Sequence, residues 1–257
     1  MIKFLNITPL PKGLFRVEYL QNKAKQEIIF HQETVFKHRL NKEETMSLKD
    51  FKKLQNEDAI HQTYAYAIHK LAYKNYTEQS MRKTLKTLSI SSATLNQVLD
   101  TLKEQHYIND SKYFEQIVNE MLEYDTKGPH AMKQKLLKEG FQEHLIEDYL
   151  ATISDKLWEE KCQHYITALL KARKNESKQA RNQYLKTKCY QQGFSLDIIN
   201  KLIDDLRYDN DEDAILKEKI AKYVRRYNIN DAKEKHRLIQ KLLREGFTYH
   251  QIKNHLK

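Results

Sequence analysis

The chain has 257 residues and a formal net charge of +10, because 45 lysines and arginines outweigh 35 aspartates and glutamates. Hydrophobic residues make up 40% of it, with only five glycines and three prolines, a composition that argues against a disordered protein. Apolar runs reach about five residues, far below the ~20 that a membrane-spanning helix needs. The first residues are too polar for a signal peptide, and two cysteines without a CxxC spacing predict a reduced, cytoplasmic setting.

The first 57 residues alternate apolar and polar side chains, which is the pattern of β-strands. Strands are predicted at 2–7, 14–20 and 27–31, and residues 34–37 either extend the third strand or form a short helix. The turn residues before the second strand are Pro9, Pro11 and Gly13. We therefore predict a small antiparallel sheet, followed by a helix after Ser47, because Ser47 and Asp50 have the spacing of a capping box.

A repeat occupies the rest of the chain. A Gly-Phe pair recurs at a spacing of 53 residues, beginning at Gly140, Gly193 and Gly246. Apolar residues stand five and nine positions after each phenylalanine. Ser89 and Ile90 form a degenerate copy of the pair, 51 residues before Gly140. Repeats of this length with helical offsets predict stacked helical units.

Each Gly-Phe pair is predicted to end a helix. A helix stops readily when the residue after its cap adopts a left-handed backbone, which only glycine enters without penalty. The following residue then packs back on the helix, so Phe247 is expected to meet Leu242. In the third copy, Cys189 stands at the position of Leu242, and we interpret it as a small core residue rather than a reactive thiol.

Three helices are predicted in each repeat. Capping residues mark helix starts at Thr77, Asn109, Pro129, Ser177 and Thr248. The predicted helices are 59–74, 77–88, 92–105, 110–125, 129–139, 142–153, 156–173, 177–192 and 195–207, with a final unit at 210–257. The predicted fold is mainly α: a β-rich region at 1–57 precedes an elongated array of four three-helix repeats at 58–108, 109–155, 156–208 and 209–257.

Short joints between repeats carry a second pattern. Residues 106–110, which include Tyr107, precede an aromatic pair, and residues 206–211, which include Tyr208, precede an aliphatic pair. We predict that an aromatic residue anchors each joint and that Asn or Asp caps the next helix. In the joint between the second and third repeats, the candidates for the aromatic anchor are Trp158 and Tyr165.

These segments together resemble the RecX family, regulators of the RecA recombinase built from tandem three-helix repeats. The resemblance covers residues 59–257 and rests on Tyr107-Ile-Asn-Asp110 before Tyr113-Phe114, and on Lys127-Gly128-Pro129 before 133–141. The amino-terminal sheet is similar to that of the longer Gram-positive members. His106 departs from the family pattern, because glycine is commoner at this position.

The resemblance implies a non-enzymatic negative regulator that binds the RecA filament on single-stranded DNA. It implies inhibition of the ATPase, recombinase and co-protease activities of RecA, within homologous recombination, DNA repair and the SOS response. The implied partners are the RecA filament and single-stranded DNA, with duplex DNA as a further candidate. No cofactor and no membrane are implied, and we expect a monomer.

The basic residues are concentrated enough to suggest a surface for phosphate or for an acidic filament. The densest stretch holds seven cations and one acid within 18 residues, and Lys174, Lys178 and Arg181 share a helical face there. The alternative is a solvated helix face without function. The candidate residues are Lys127, His130, Lys133, Lys135, Lys171, Arg173, Lys174, Lys178, Arg181, Lys186, Lys188, Lys222, Arg225, Arg226, Arg237, Lys241 and Arg244.

Two other functions remain open, a general nucleic-acid-binding protein and a protein-interaction scaffold. Each helix, Gly-Phe turn and following helix imitates a helix-turn-helix, but acidic residues such as Glu143 and Glu147 on the following helix would repel phosphate. No phosphate loop, dinucleotide motif or nucleophile pair predicts catalysis. The acidic run at 209–213 lacks the glycine of a calcium loop and is interpreted as helix capping, and no metal site is predicted.

Overall fold

The computed structural model describes residues 1–208 and 211–256. The chain is mainly helical, with one antiparallel sheet near the amino terminus, which confirms the predicted fold class. The repeat boundaries and the elongation stay predictions. Across the described residues, every helix is too short or too polar to cross a membrane.

The sheet contains four strands in the order β3-β2-β1-β4, and neighbouring strands are antiparallel. Its strands are β1 (Ile2–Leu10), β2 (Leu14–Gln21), β3 (Ala24–His31) and β4 (Thr45–Met46), and α1 (Gln32–Lys37) follows β3. Pro9 was wrongly predicted as a turn residue, because it lies within β1 opposite Phe15. The turn is a short 3-10 segment, Pro11–Gly13.

The remaining helices follow the predicted order closely. They are α2 (Leu48–Leu71), α3 (Glu78–Lys86), α4 (Ser92–Glu104), α5 (Asp110–Tyr124), α6 (Pro129–Glu139), α7 (Glu143–Thr152), α8 (Asp155–Leu170), α9 (Lys178–Gln191), α10 (Leu196–Asp204), α11 (Glu212–Val224), α12 (Ala232–Arg244) and α13 (Tyr249–His255). The helix predicted after Ser47 and the one predicted at 59–74 are one continuous helix, α2. Neither glycine nor proline interrupts α2, so its hydrogen-bond ladder continues past the predicted boundary at residue 57.

The predicted helix starts are confirmed by cap hydrogen bonds or by proline. The side chains of Thr77, Ser177 and Thr248 each accept a hydrogen bond from the backbone three residues on. Asn109 accepts one from the backbone N–H of Lys112 at 2.9 Å, and α6 begins at Pro129. Of the acidic run, residues 209 and 210 lie outside the described residues, whereas Asp211 caps α11 as expected.

The chain divides into two compact units, and the first contains Met1–Ile117 together with Glu139–Phe141. Phe51 and Leu54 of α2 pack on the buried face of the sheet, where Phe4 and Phe30 are fully buried. The other end of α2 packs with α3, α4 and Ile108 in a separate hydrophobic cluster. The long helix α2 therefore belongs to both cores of this unit.

The second unit contains Val118–Lys138 and the chain from Gln142 onward. One hydrophobic cluster combines α8, α9 and α10, and another combines α11, α12 and α13. Cys162 and Cys189 are both fully buried in the former, which confirms Cys189 as a core residue. The neighbouring Cys189 thiol and burial raise the pKa of Cys162, so its thiol stays protonated.

Helix stops have the predicted left-handed geometry. Gly193 and Gly246 have φ angles of 90° and 88°. The N–H of Phe194 donates to the Cys189 carbonyl at 3.1 Å, and the N–H of Phe247 donates to the Leu242 carbonyl at 3.2 Å. These are the bonds of a Schellman cap, in which the residue after glycine turns back on the helix.

Two further helix stops use residues other than glycine. Ser89 and His106 have φ angles of 54° and 60°. The backbone N–H of His106 donates to the Lys103 carbonyl at 2.9 Å, and that of Tyr107 donates to the Leu102 carbonyl at 2.9 Å. His106 therefore occupies a position where a side chain costs free energy, which explains physically why glycine suits it.

Candidate nucleic-acid interface

The predicted basic residues all belong to the second unit, but they occupy different environments. Lys127 pairs with Asp125 at 3.4 Å, and His130 is exposed at the start of α6. Lys133 contacts Glu143 at 2.8 Å and Glu147 at 2.5 Å, and these carboxylates raise its pKa. Lys135 is half-buried. Of these four residues, Lys127 and Lys133 are therefore paired with carboxylates.

The dense basic stretch around α9 is not one exposed face. Lys171, Lys174 and Lys178 are exposed, whereas Lys186 and Lys188 are half-buried. Arg173 pairs with Glu176 at 2.7 Å and lies over the Tyr184 ring at 3.7 Å. Its charge is thus directed at neighbours within the same segment.

Arg181 corrects the sequence interpretation, because it is only 4% exposed. Its guanidinium lies over the ring of Tyr208, 4.2 Å from the centroid, and its Nε and Nη2 atoms are buried without a hydrogen-bond partner among the described residues. Burial in turn raises the pKa of Tyr208. Arg181 therefore does not contribute an exposed cation to the face predicted with Lys174 and Lys178, since the joint before α11 covers it. Phosphate binding by Lys174 and Lys178 stays a prediction.

A cleft of about 420 Å³ lies beside α9 in this unit. Lys178 and Lys186 line it together with Asp204 and Glu212. Glu212 accepts a hydrogen bond from the backbone N–H of Lys178 at 2.9 Å. Two lysines facing two carboxylates give the cleft little net charge, so it offers only weak attraction to a phosphate chain.

A group of exposed cations lies on α12 and at the end of α11. Five of the predicted cations here are exposed and form no ion pair with a carboxylate within the described residues: Lys222, Arg225, Arg226, Arg237 and Arg244. Arg237, Lys241 and Arg244 follow one another at helical spacing along α12. We name these six residues the α11–α12 basic face.

Tyr223 links the two helices of the α11–α12 basic face. The Lys241 ammonium lies 4.0 Å from the centroid of the Tyr223 ring, and the Tyr223 hydroxyl donates to Glu245 at 2.6 Å. Burial and the hydrogen bond to Glu245 raise the pKa of Tyr223 to about 12. The tyrosine therefore stays neutral, and it holds Lys241 against the end of α11.

A second surface feature, which was not predicted, is a cleft in the first unit at the joint between α4 and α5. The prediction that an aromatic residue anchors this joint is wrong, because Ile108 is 4% exposed whereas Tyr107 is 53% exposed. Tyr107 lines a cleft of about 220 Å³ together with Tyr76 and His106. The signal was present in the tyrosine of the joint, but the alternation of exposed and buried residues in a loop follows no helical period.

Metal-binding geometry is absent from the described residues, in which no three His, Cys, Asp or Glu side chains converge.

The sequence beyond α12 gives limited support to a DNA-reading helix. In α13, Lys253 is exposed, but His255 lies 3.5 Å from Asp213. The α11–α12 basic face is a candidate surface for binding a polyanion.

Comparison with known proteins identifies similar chains. Regulatory protein RecX of Streptococcus mutans is 33% identical over 204 residues, which covers 74% of this chain and 75% of that protein. Regulatory protein RecX of Staphylococcus carnosus is 27% identical over 232 residues, covering 88% and 86%. No family model matches the chain.

Solved structures are also similar. A crystal structure of regulatory protein RecX has a TM-score of 0.56 and 22% identity, covers 80% of this chain and all of its own, and supports the fold alone. The crystal structure of RecX from Lactobacillus salivarius has a TM-score of 0.52 and 29% identity, covering 58% of this chain and 97% of its own.

Proposed function

Because the chain belongs to the RecX family of regulatory proteins, we propose that it is a negative regulator of RecA that binds the RecA filament on single-stranded DNA. Binding reduces ATP hydrolysis by RecA and, with it, strand exchange and co-protease activity. The protein acts in the cytoplasm, as a monomer and without a cofactor or catalysis of its own. The observation that carries the proposal is the 33% identity to Regulatory protein RecX over three quarters of the chain.

The α11–α12 basic face supports binding to a polyanionic filament. Five of its six residues are exposed cations without carboxylate partners in the described part of the chain. The sixth, Lys241, is half-buried and lies over the Tyr223 ring. Cations of this kind release counterions from a phosphate chain and gain affinity at low salt. We assign filament attraction to this face rather than to the stretch around α9, where Arg173 and Arg181 are engaged within the protein.

The direct test follows the DNA-dependent ATPase of RecA while the protein is added in substoichiometric amounts. Inhibition is expected well below one protein per RecA, because a protein bound along a filament affects many subunits. An unchanged ATPase rate at every ratio would refute the proposal that the protein regulates RecA. Salt-sensitive DNA binding combined with that unchanged rate would favour a general nucleic-acid-binding protein instead.

The α11–α12 basic face is tested by changing Arg226, Arg237 and Arg244 together to Glu, a swing of six charges. Inhibition is expected to weaken strongly at low salt and less at 1 M salt, where the Debye length is ~3 Å. The matched control is the same change at Lys23, Lys42 and Lys49, which are exposed in the first unit. Equal inhibition by both folded triple variants would remove this face from the proposal.

A further inference from the structure

The cleft at the α4–α5 joint is lined by aromatic rings that belong to one compact unit. The rings come from Tyr76 in the loop after α2, from His106 and Tyr107 in the joint, and from Tyr113 in α5. Tyr113 is held in place at its back, because its ring lies 5.5 Å from the ring of Phe141. A cavity walled by several rings and open to solvent is shaped for a flat, unsaturated guest.

The exposed rings of this cleft are Tyr107 and the neighbouring His106. More than half of Tyr107 is exposed, while the next residue, Ile108, supplies the buried contact of the joint. The backbone that presents Tyr107 is constrained, because its N–H is bonded to Leu102 and the preceding His106 is left-handed. This geometry is the helix stop of α4, and its consequence here is that it fixes the direction in which Tyr107 is presented.

The polar groups of the cleft match the edge of a base. Asn75, Asn109 and Gln116 line it. Asn75 donates to Gln116 at 3.4 Å and the Asn109 Oδ1 caps α5, but an amide nitrogen carries two donors, so the Asn109 amide can still reach the edge of a base. Within the described residues the lining includes the cation Lys112 and no carboxylate, and Glu139 accepts from the Tyr113 hydroxyl at 3.3 Å. The chemistry therefore suits a planar heterocycle attached to a phosphate, rather than a cationic or purely apolar peptide.

We propose that this cleft binds an unpaired nucleobase of single-stranded DNA, which stacks on Tyr107 and lies near Lys112. The inference rests on the proposed function, because it names the part of the filament that the first unit contacts. Stacking on tyrosine tolerates every base, since each base has a π-face. The site therefore adds affinity for single strands without sequence preference.

The test compares binding of two 20-mers by fluorescence anisotropy at low salt. One is oligo(dT), and the other is an abasic strand with the same number of phosphates. The intact protein is expected to bind oligo(dT) about 10-fold more tightly, from the typical gain of base stacking on an aromatic ring. In Tyr107→Ala this ratio should fall towards one, whereas Tyr107→Phe should retain it, because the ring remains.

Controls separate this site from other exposed tyrosines and from the proposed function. Tyr190→Ala removes a ring that is 62% exposed in the second unit, and it should leave the ratio unchanged. An unchanged ratio in folded Tyr107→Ala overturns the site, even if RecA inhibition persists. Loss of binding to RecA-coated strands with an unchanged ratio would assign the cleft to protein contact and would also overturn it.

Discussion

Two Gly-Phe turns of the second unit end their helices in the same way but meet different partners. Gly193 meets the start of α6, where Gly128 donates its N–H to the Gln192 carbonyl at 2.9 Å and His130 donates to the Gly193 carbonyl at 3.1 Å. Gly246 meets the start of α9, where the Ser177 hydroxyl donates to the Glu245 carbonyl at 2.6 Å. One turn is therefore held by backbone, and the other by a side chain.

The side-chain type also occurs in the first unit. Thr77 caps α3 by accepting from Ser80 at 3.1 Å, and its hydroxyl donates to the Glu139 carbonyl at 2.8 Å, next to Gly140. A hydroxyl can do both because it carries lone pairs and one proton. A helix start and a helix stop can therefore be joined through either chemistry, and the two kinds of contact should respond differently to mutation.

The largest effect is expected from Gly128→Ala, which targets the backbone type. An added Cβ would lie 2.5 Å from the carbonyl carbon of Gly193, and backbone cannot move aside as a flexible side chain can. We expect a loss of about 3 kcal/mol in the free energy of unfolding, measured by urea denaturation. His130→Ala keeps both backbone bonds and should change stability by less than about 0.5 kcal/mol. Equal stability of the two variants would contradict the close backbone contact.

A smaller effect is expected from Ser177→Ala, which targets the side-chain type. The variant loses the cap on the Ala180 N–H and the bond to Glu245, about 2 kcal/mol in total. Ser91→Ala is the matched control, because Ser91 caps α4 at 3.1 Å and makes no bond to a Gly-Phe turn in the described structure; its cost should be about 1 kcal/mol. If both serines cost the same, the bond to the turn contributes nothing. Ser177→Thr should retain stability, because Thr77 makes the same two kinds of hydrogen bond at the start of α3.

The smallest effect, and one of opposite sign, is expected from His106→Gly. This variant concerns a helix stop in which a residue other than glycine is left-handed. Relief of the left-handed strain should exceed the extra entropy of glycine in the unfolded chain and raise stability by about 0.5 kcal/mol. His106→Ala retains the Cβ and should give no gain, so a matching increase in melting temperature for Ala would show that the backbone is not strained.

Helix positions were predictable because their signals are local. Thr77, Ser177 and Thr248 are cap residues by chemistry, and Gly246 ends α12 by its backbone freedom. The continuity of α2 was not predicted, since a change from alternating to helical pattern suggested a boundary that no glycine or proline enforces. The candidate binding residues were the least predictable, because the position of a charged residue in the sequence does not show which side chains surround it in the fold.

The sequence by itself determined the 53-residue register, the helix starts and stops, and the family resemblance, because each depends on residue type at short or regular spacing. Only the tertiary structure decided which side chains are accessible. Arg181 is buried because Tyr208, distant in sequence, covers its guanidinium, whereas Tyr107 is exposed because Ile108 takes the core position beside it. Burial depends on what other segments bring to a site, and periodicity within one segment does not contain that information.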